Sequence, residues 1–239
     1  MALERFYIEQ PPDGAVARLS REESHHLRRV RRVKVGDQIV LFDGTGTDYT
    51  GRVKRWDKAG VTVEITGRQC NPREPGVDVT LAVSLVKQSA MHQLLDTCTQ
   101  LGMARLIPMR TERTVVKMQR ARPERWRRIA IEACKQCGRS VIPEIGPLLD
   151  FEDVLHKAGD YDLAVVGSTE RGARPLVQVL GRSVGSVLCL VGPEGGLSGK
   201  ERAAAADAGC VCVSLSANVL RTETAAAAAL AAIVQLTAG

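Results

Sequence analysis

Two short stretches near the C-terminus hold the residue types from which a reactive site could be built. They are Val191-Gly192-Pro193-Glu194-Gly195-Gly196 and Leu220-Arg221-Thr222-Glu223-Thr224-Ala225. Each lies where an apolar run ends and a helical pattern begins, the place at which open α/β sheets bind ligands. The first makes a bend that glycine and proline adopt most easily. The second gathers one guanidinium, two hydroxyls and one carboxylate at the mouth of a very apolar helix. Together they describe a small-molecule pocket with a reactive edge.

The ligand of such a pocket is not a nucleotide phosphate. The Walker pattern needs Gly, four residues, Gly-Lys and then Ser or Thr, but Glu194 stands at the first position and Glu201 follows Lys200. Ser198-Gly199-Lys200-Glu201 reads instead as a capping box. No GxGxxG follows an apolar run, so the dinucleotide fingerprint is missing too. A carboxylate in the bend repels phosphate and favours a neutral or cationic ligand. Gly195-Gly196 alone is equally explained by a tight turn stiffened by Pro193.

The elements that must position these groups fall into two parts. Up to Cys70 the chain is β-rich, with strand-like runs at Arg5–Ile8, Gln38–Phe42, Gly51–Lys54 and Val61–Ile65, and turn chemistry at Asp43-Gly44. One helix interrupts them: Ser20 and Glu23 make a capping box, and Leu27, Val30 and Val33 are expected to face a core. The Arg28, Arg29, Arg31 and Arg32 side chains then project outward, either as a solvated face or as phosphate contacts. His25 and His26 are adjacent on that helix and point about 100° apart, so they cannot pair on a metal. Asn71-Pro-Arg-Glu-Pro-Gly76 is a boundary of turn formers. Beyond it strands alternate with helices: Val79–Val86, Met91–Leu101, Arg105–Met109, Pro123–Gly138, a helix opened by Asp150 and Asp153, Leu163–Gly167, Val187–Val191, a helix from Ser198, Val211–Leu215, and an Ala-rich helix from Thr222. That alternation predicts an α/β domain with a mostly parallel sheet.

The 239 residues are 44% hydrophobic and 25% charged, enough for an ordinary core. No apolar run reaches the ~18 residues of a membrane span, and the first residues lack a basic-then-apolar signal pattern; no membrane association and a cytoplasmic location are expected. The seven cysteines are expected to be reduced thiols packed as small hydrophobes. Cys134 and Cys137 form a CxxC inside a helical run, and Cys210 and Cys212 share a strand; neither spacing fits zinc, so no metal is expected. The net charge is +6, and residues 105–140 hold eleven Lys or Arg against three Glu, a local +8 that leaves −2 elsewhere. Such a run is either a solvated helix surface or a polyanion-binding face.

Gly192-Pro-Glu-Gly-Gly-Leu-Ser-x-x-Glu201 followed by Leu220-Arg-Thr-Glu-Thr-Ala225 resembles the signature of the SPOUT-superfamily methyltransferases. The resemblance is closest to the family that methylates N3 of a uridine in small-subunit (16S) ribosomal RNA. Arg5-Phe6-Tyr7, His25-His26-Leu27-x-x-Val30-x-Arg32, Thr111-Glu112-Arg113 and Glu132-Ala-Cys-Lys-Gln-Cys-Gly-Arg139 with Pro143 extend it over nearly the whole chain. One departure stands out. Where such proteins usually carry a Lys and a Glu ahead of Leu101-Gly102, this chain has Thr97 and Gln100. Those positions support local structure or RNA contact, so RNA affinity is where this chain would differ.

The resemblance implies a PUA-like RNA-binding β-barrel over residues 1–72 and a SPOUT domain over 73–239, its C-terminal part threaded as a trefoil knot. It implies a homodimer, with ribosomal RNA or the small ribosomal subunit as partner. The implied cofactor is S-adenosyl-L-methionine, which carries a sulfonium and an adenine but no phosphate, consistent with a bend free of basic residues. Three loops would hold it: Val166 and Gly167; Leu190, Gly192, Pro193, Glu194 and Gly195; and Leu215, Ser216, Asn218, Val219, Leu220 and Thr222. Arg221 would stabilise charge on the uridine carbonyl oxygens, unless it is an ordinary salt-bridge partner. Glu223 is a candidate base or an orienter of Arg221, or simply a carboxylate favoured at a helix N-terminus; Glu194 has the same two readings beside the sulfonium. Arg5, Arg28, Arg31, Arg32, Arg113, Arg125, Arg128 and Arg139 are the expected RNA contacts. The rival readings are a SPOUT enzyme acting on another base or a ribose hydroxyl, and a non-catalytic RNA-binding or assembly protein.

Overall fold

Strands that alternate apolar and polar residues bury one face only, and the N-terminal part of the chain builds on that pattern. The computed structural model describes residues 3–58, 60–116, 122–170, 172–181 and 184–237. Two units divide the chain, Met1–Glu74 with Ile131–Ile142, and Pro75–Ala130 with Pro143–Gly239.

In the first unit, β1 (Arg5–Tyr7), β2 (Val16–Arg18), β3 (Gln38–Phe42), β4 (Thr47–Asp57) and β5 (Gly60–Cys70) form a sheet in the order β1-β3-β4-β5-β2. β1 runs parallel to β3 and the other pairings are antiparallel. Phe6, Leu27, Ile39, Leu41, Val61 and Val63 form its core. The runs at Gly51–Lys54 and Val61–Ile65 are the middles of two eleven-residue strands. The β3–β4 turn is built on Asp43, whose carboxylate accepts from the Thr45 amide and hydroxyl and from the Tyr49 hydroxyl. Burial alone would raise its pKa, but those donors together hold the carboxyl below the usual range.

The helix α1 (Arg21–His25) starts where expected, with Ser20 accepting from the Glu23 amide at 3.1 Å. The reciprocal half of the capping box is not made, because the Glu23 carboxylate turns to Lys135 of the same unit. α1 runs on as a π-helical turn over His26–Val30, and Arg32 leaves it at φ 55°. The wider turn rotates Val30 out of line. Leu27 and Val33 are buried, but Val30, expected in the core, is 61% exposed.

In the second unit every strand pairing is parallel. The strands are β6 (Asp78–Ser84), β7 (Arg105–Arg110), β8 (Glu144–Ile145), β9 (Leu149–Asp150), β10 (Leu163–Gly167), β11 (Arg174–Pro175), β12 (Ser186–Val191) and β13 (Val211–Ser214). They lie in the order β11-β13-β10-β12-β6-β7-β8, with β9 also on β7. The helices are α2 (Gln88–Gln100), the first half of α3 (Pro123–Cys137), whose residues from Ile131 on belong to the first unit, α4 (Phe151–Leu155), α5 (Gly199–Asp207) and α6 (Thr222–Thr237). A sheet covered on both faces needs strands apolar on both sides, and β12 is buried at five consecutive positions. Met91 and Leu94 of α2 and Leu230 and Ile233 of α6 pack on one face. Phe151 and Val154 of α4 and Ala205 of α5 pack on the other. The chain is thus an α/β protein with a parallel sheet, preceded by a small β unit.

Cys98, Cys134 and Cys189 are buried and unbridged, and burial pushes their thiols up to about 12. Among the described residues no group of three or more His, Cys, Asp or Glu is placed to hold a metal, and no helix is long and apolar enough to cross a membrane.

Candidate active site

A cavity of about 200 Å³ opens in the second unit, walled by the loops that follow β10, β12 and β13 and by the start of α6. The loop after β12 is fixed first by its own turn. The Gly196 amide donates to the Pro193 carbonyl at 2.8 Å, and Gly196 has φ 67°, a conformation that favours glycine. Leu197 folds back so closely that a Cβ on Gly192 would meet it at 3.2 Å. The loop then enters α5 through a complete capping box, Ser198 with Glu201. Thr222, at the start of α6, donates its hydroxyl to the Gly192 carbonyl at 3.1 Å. The two stretches that stand out in the sequence therefore form one wall.

Ten of the thirteen expected cofactor residues line the cavity: Gly167, Gly192, Pro193, Gly195, Leu215, Ser216, Asn218, Val219, Leu220 and Thr222. Val166 and Leu190 are strand residues with 2% and 0% exposure, packed in the core beneath it. Glu194 is exposed and does not line the cavity. Arg221 and Glu223 flank Thr222, and neither is part of the wall. Arg221 is exposed, whereas Glu223 is 8% exposed and its Oε2 has no hydrogen-bond partner among the described residues. An unpartnered buried carboxylate oxygen is costly, and such groups concentrate at working sites.

Three charged residues join the wall that the loop pattern did not indicate: Arg113, Glu170 and Arg202. Arg202 pairs with Glu170 at 2.9 Å and donates to the Leu197 carbonyl, tying the first loop to the second. Arg113 reaches in from the turn after β7 and donates to the Gly195 carbonyl at 2.8 Å. That turn is clasped to α5, since Glu201 Oε1 accepts from the Glu112 amide at 2.7 Å while its Oε2 accepts from the Ser198 amide at 2.8 Å. The sequence marks that turn through Thr111-Glu112-Arg113, which suggests RNA contact rather than a place in this wall.

The other expected RNA contacts divide. Arg5 and Arg139 are engaged within their own unit. Arg5 is bound by Asp48 and Ser140 at 2.7 and 2.6 Å, and Arg139, 4% exposed, pairs with Glu74 at 2.8 Å. Each guanidinium is thus held by a carboxylate within its own unit. Arg28, Arg31 and Arg32 are exposed; Arg28 lies over the Trp56 ring, 4.7 Å from its centroid, and Arg31 pairs with Glu4 at 3.2 Å. Arg125 and Arg128 are exposed on α3. Arg113 belongs to the cavity.

A family model described as an RNA methyltransferase domain matches residues 72–234, and one described as an RNA methyltransferase PUA domain matches residues 19–66. The Mycobacterium tuberculosis protein named ribosomal RNA small subunit methyltransferase E is 33% identical over 242 residues, covering 97% of this chain and 91% of its own. The Bacillus subtilis protein of the same name is 29% identical over 245 residues, covering 97% and 96%. The crystal structure of the Neisseria gonorrhoeae ribosomal RNA small subunit methyltransferase E bound to S-adenosyl methionine superposes with a TM-score of 0.90 at 30% identity, covering 98% of each chain.

Proposed function

Because this chain belongs to the RNA methyltransferase family with its PUA domain, we propose that it methylates N3 of a uridine in small-subunit (16S) ribosomal RNA with S-adenosylmethionine. The observation that carries the proposal is the clasp of Thr222 on the Gly192 carbonyl, which sets a cofactor-sized bend beside a guanidinium and a buried carboxylate. The cavity suits that cofactor. Its walls are made by three bent loops and include the apolar Leu215 and Leu220 and four glycines, Gly167, Gly192, Gly195 and Gly196. A Cβ on Gly167 would sit in ordinary contact with Leu215, at 3.5 Å.

The bound cofactor supplies an electrophilic methyl group on a sulfonium. The chain supplies the rest. Uridine N3 must lose a proton, and negative charge then builds on the two flanking carbonyl oxygens. Arg221, exposed at the mouth of α6, can meet that charge with a preorganised donor fork. Glu223, with a buried oxygen that has no partner among the described residues, accepts the N3 proton or holds Arg221 in place. Residues 1–72 bind RNA and residues 73–239 bind the cofactor and dimerise, so the working form is a homodimer in the cytoplasm, without a metal.

The test is methyl transfer from labelled cofactor to unmodified small subunits and to naked RNA, with nucleoside mass analysis. 3-Methyluridine is the required product. A 2′-O-methylated nucleoside would move the protein to a ribose-modifying function, and absence of cofactor binding by calorimetry would leave only RNA binding.

A further inference from the structure

We propose that Arg113 is the carboxylate-binding residue of the cavity, holding the amino-acid end of an S-adenosyl ligand. The inference rests on the cavity being an S-adenosylmethionine site and adds the group that reads the far end of that ligand. A nucleoside bearing an amino acid presents a carboxylate and an ammonium beyond its sulfur, and both lose water on binding. The cavity wall holds two guanidinium groups, of Arg113 and Arg202, and one carboxylate, of Glu170. Arg202 is already neutralised by Glu170 at 2.9 Å. Arg113 makes no ion pair among the described residues, so the lining carries one uncompensated positive charge, the complement of a ligand carboxylate.

Arg113 is also held as a binding group must be. Its stem lies along the bend, since a Cβ built on Gly195 would touch its Cβ and Cδ, each at 3.6 Å. One N–H is taken up by the Gly195 carbonyl, which leaves the planar group, with five N–H donors in a fixed fork, an edge to pair a carboxylate. The turn beneath it is fixed at both ends. The Thr111 amide donates to the Thr114 hydroxyl at 2.9 Å, and that hydroxyl lies 2.9 Å from Ser84 at the end of β6. The Glu112 amide is bound by Glu201. Glu201 is only 6% exposed, and its two oxygens are answered by two backbone amides, one from the bend and one from this turn. It is therefore a positioning residue for Arg113. A cation needed only for diffuse attraction to RNA backbone requires no such anchorage.

Two ligands separate this role from the others. S-adenosylhomocysteine has the carboxylate; 5′-methylthioadenosine shares its adenosine and sulfur but lacks the amino-acid end. In calorimetry, Arg113→Ala is expected to weaken S-adenosylhomocysteine by about tenfold or more while 5′-methylthioadenosine changes less than about twofold. Arg113→Lys is expected to fall between, because a point charge replaces the fork. Equal losses for both ligands, or none, would overturn the assignment, and so would unchanged ligand binding with weaker binding of a ribosomal RNA fragment. If the unaltered protein binds neither ligand, the cavity reading itself fails. Thermal melts of each variant, expected to match the parent, separate lost contacts from lost fold.

Discussion

Thr222 Oγ1 lies 3.1 Å from the Gly192 carbonyl oxygen, a hydrogen bond between residues thirty positions apart. It joins the first residue of α6 to the first residue after β12, so the helix that carries Glu223 and follows Arg221 is tied to the bend that walls the cavity. Replacing Thr222 by Val keeps the shape and leaves the Gly192 carbonyl without its donor. Thr222→Val is expected to lower stability by about 1 kcal/mol and to weaken S-adenosylhomocysteine in calorimetry, whereas Thr222→Ser should restore both. Equal affinities in all three proteins would show that the clasp does not shape the pocket.

Arg221 stands next to that clasp, exposed and outside the cavity wall. Truncating it should leave the cofactor site intact and remove a donor for charge that exists only in the transition state. Arg221→Ala is expected to lower kcat by about a hundredfold or more, with the Kd of S-adenosylhomocysteine changed less than about threefold. A normal turnover rate would remove Arg221 from the chemistry.

Glu223 is the harder residue, because a carboxylate in the first turn of a helix is stabilising whatever else it does. The two roles differ in size and in kind. Glu223→Gln keeps the shape and removes the charge; as a lost helix-end carboxylate it should cost about 0.3–1 kcal/mol in a denaturation curve and little in rate. As a lost proton acceptor it should slow single-turnover methyl transfer by about 10²–10⁴-fold. The second outcome is expected, given the unpartnered Oε2. A single-turnover rate within about threefold of the parent would leave Glu223 as a helix cap alone.

Much of this arrangement is legible in the residues. β3 and β10 have the bounds that their apolar runs predict, and Pro123 and Ser198 open α3 and α5 as first-turn and capping residues should. What stays hidden has physical causes. β2, β8, β9 and β11 are two or three residues long, too short to show a period. β4 and β5 extend past their apolar centres through Arg55 and Asp57 and through Thr66, Arg68 and Gln69, exposed residues that carry no apolar signal. Val30 faces solvent because a π turn shifts the helical phase. In the site, the loops were legible because they follow apolar strands, but Arg113 meets Gly195 from 82 residues away, and no spacing encodes that. Arg5 and Arg139 show the converse: a positive charge in the sequence says nothing about whether a carboxylate such as Asp48 or Glu74 already holds it.

That lesson decides how the basic stretch on α3 should be tested. Trp126, Ala130 and Ala133 bury one face of the helix, while Arg125, Arg127 and Arg128 lie exposed. Because the three are exposed, Gln at each position should leave the melting temperature within a few degrees. Each arginine that meets a phosphate releases counterions, so log affinity falls with log salt by about 0.7 per contact on single-stranded RNA. Losing three such contacts should therefore flatten the slope by about 2, as well as weakening binding at low salt. The measurement is the affinity of a ribosomal RNA fragment at several salt concentrations for parent and triple variant. Parallel lines would mean that the triple variant has lost no phosphate contact, and α3 would then be a solvated surface. A slope reduced by about 0.7 would assign one of the three to the RNA, and single substitutions would show which.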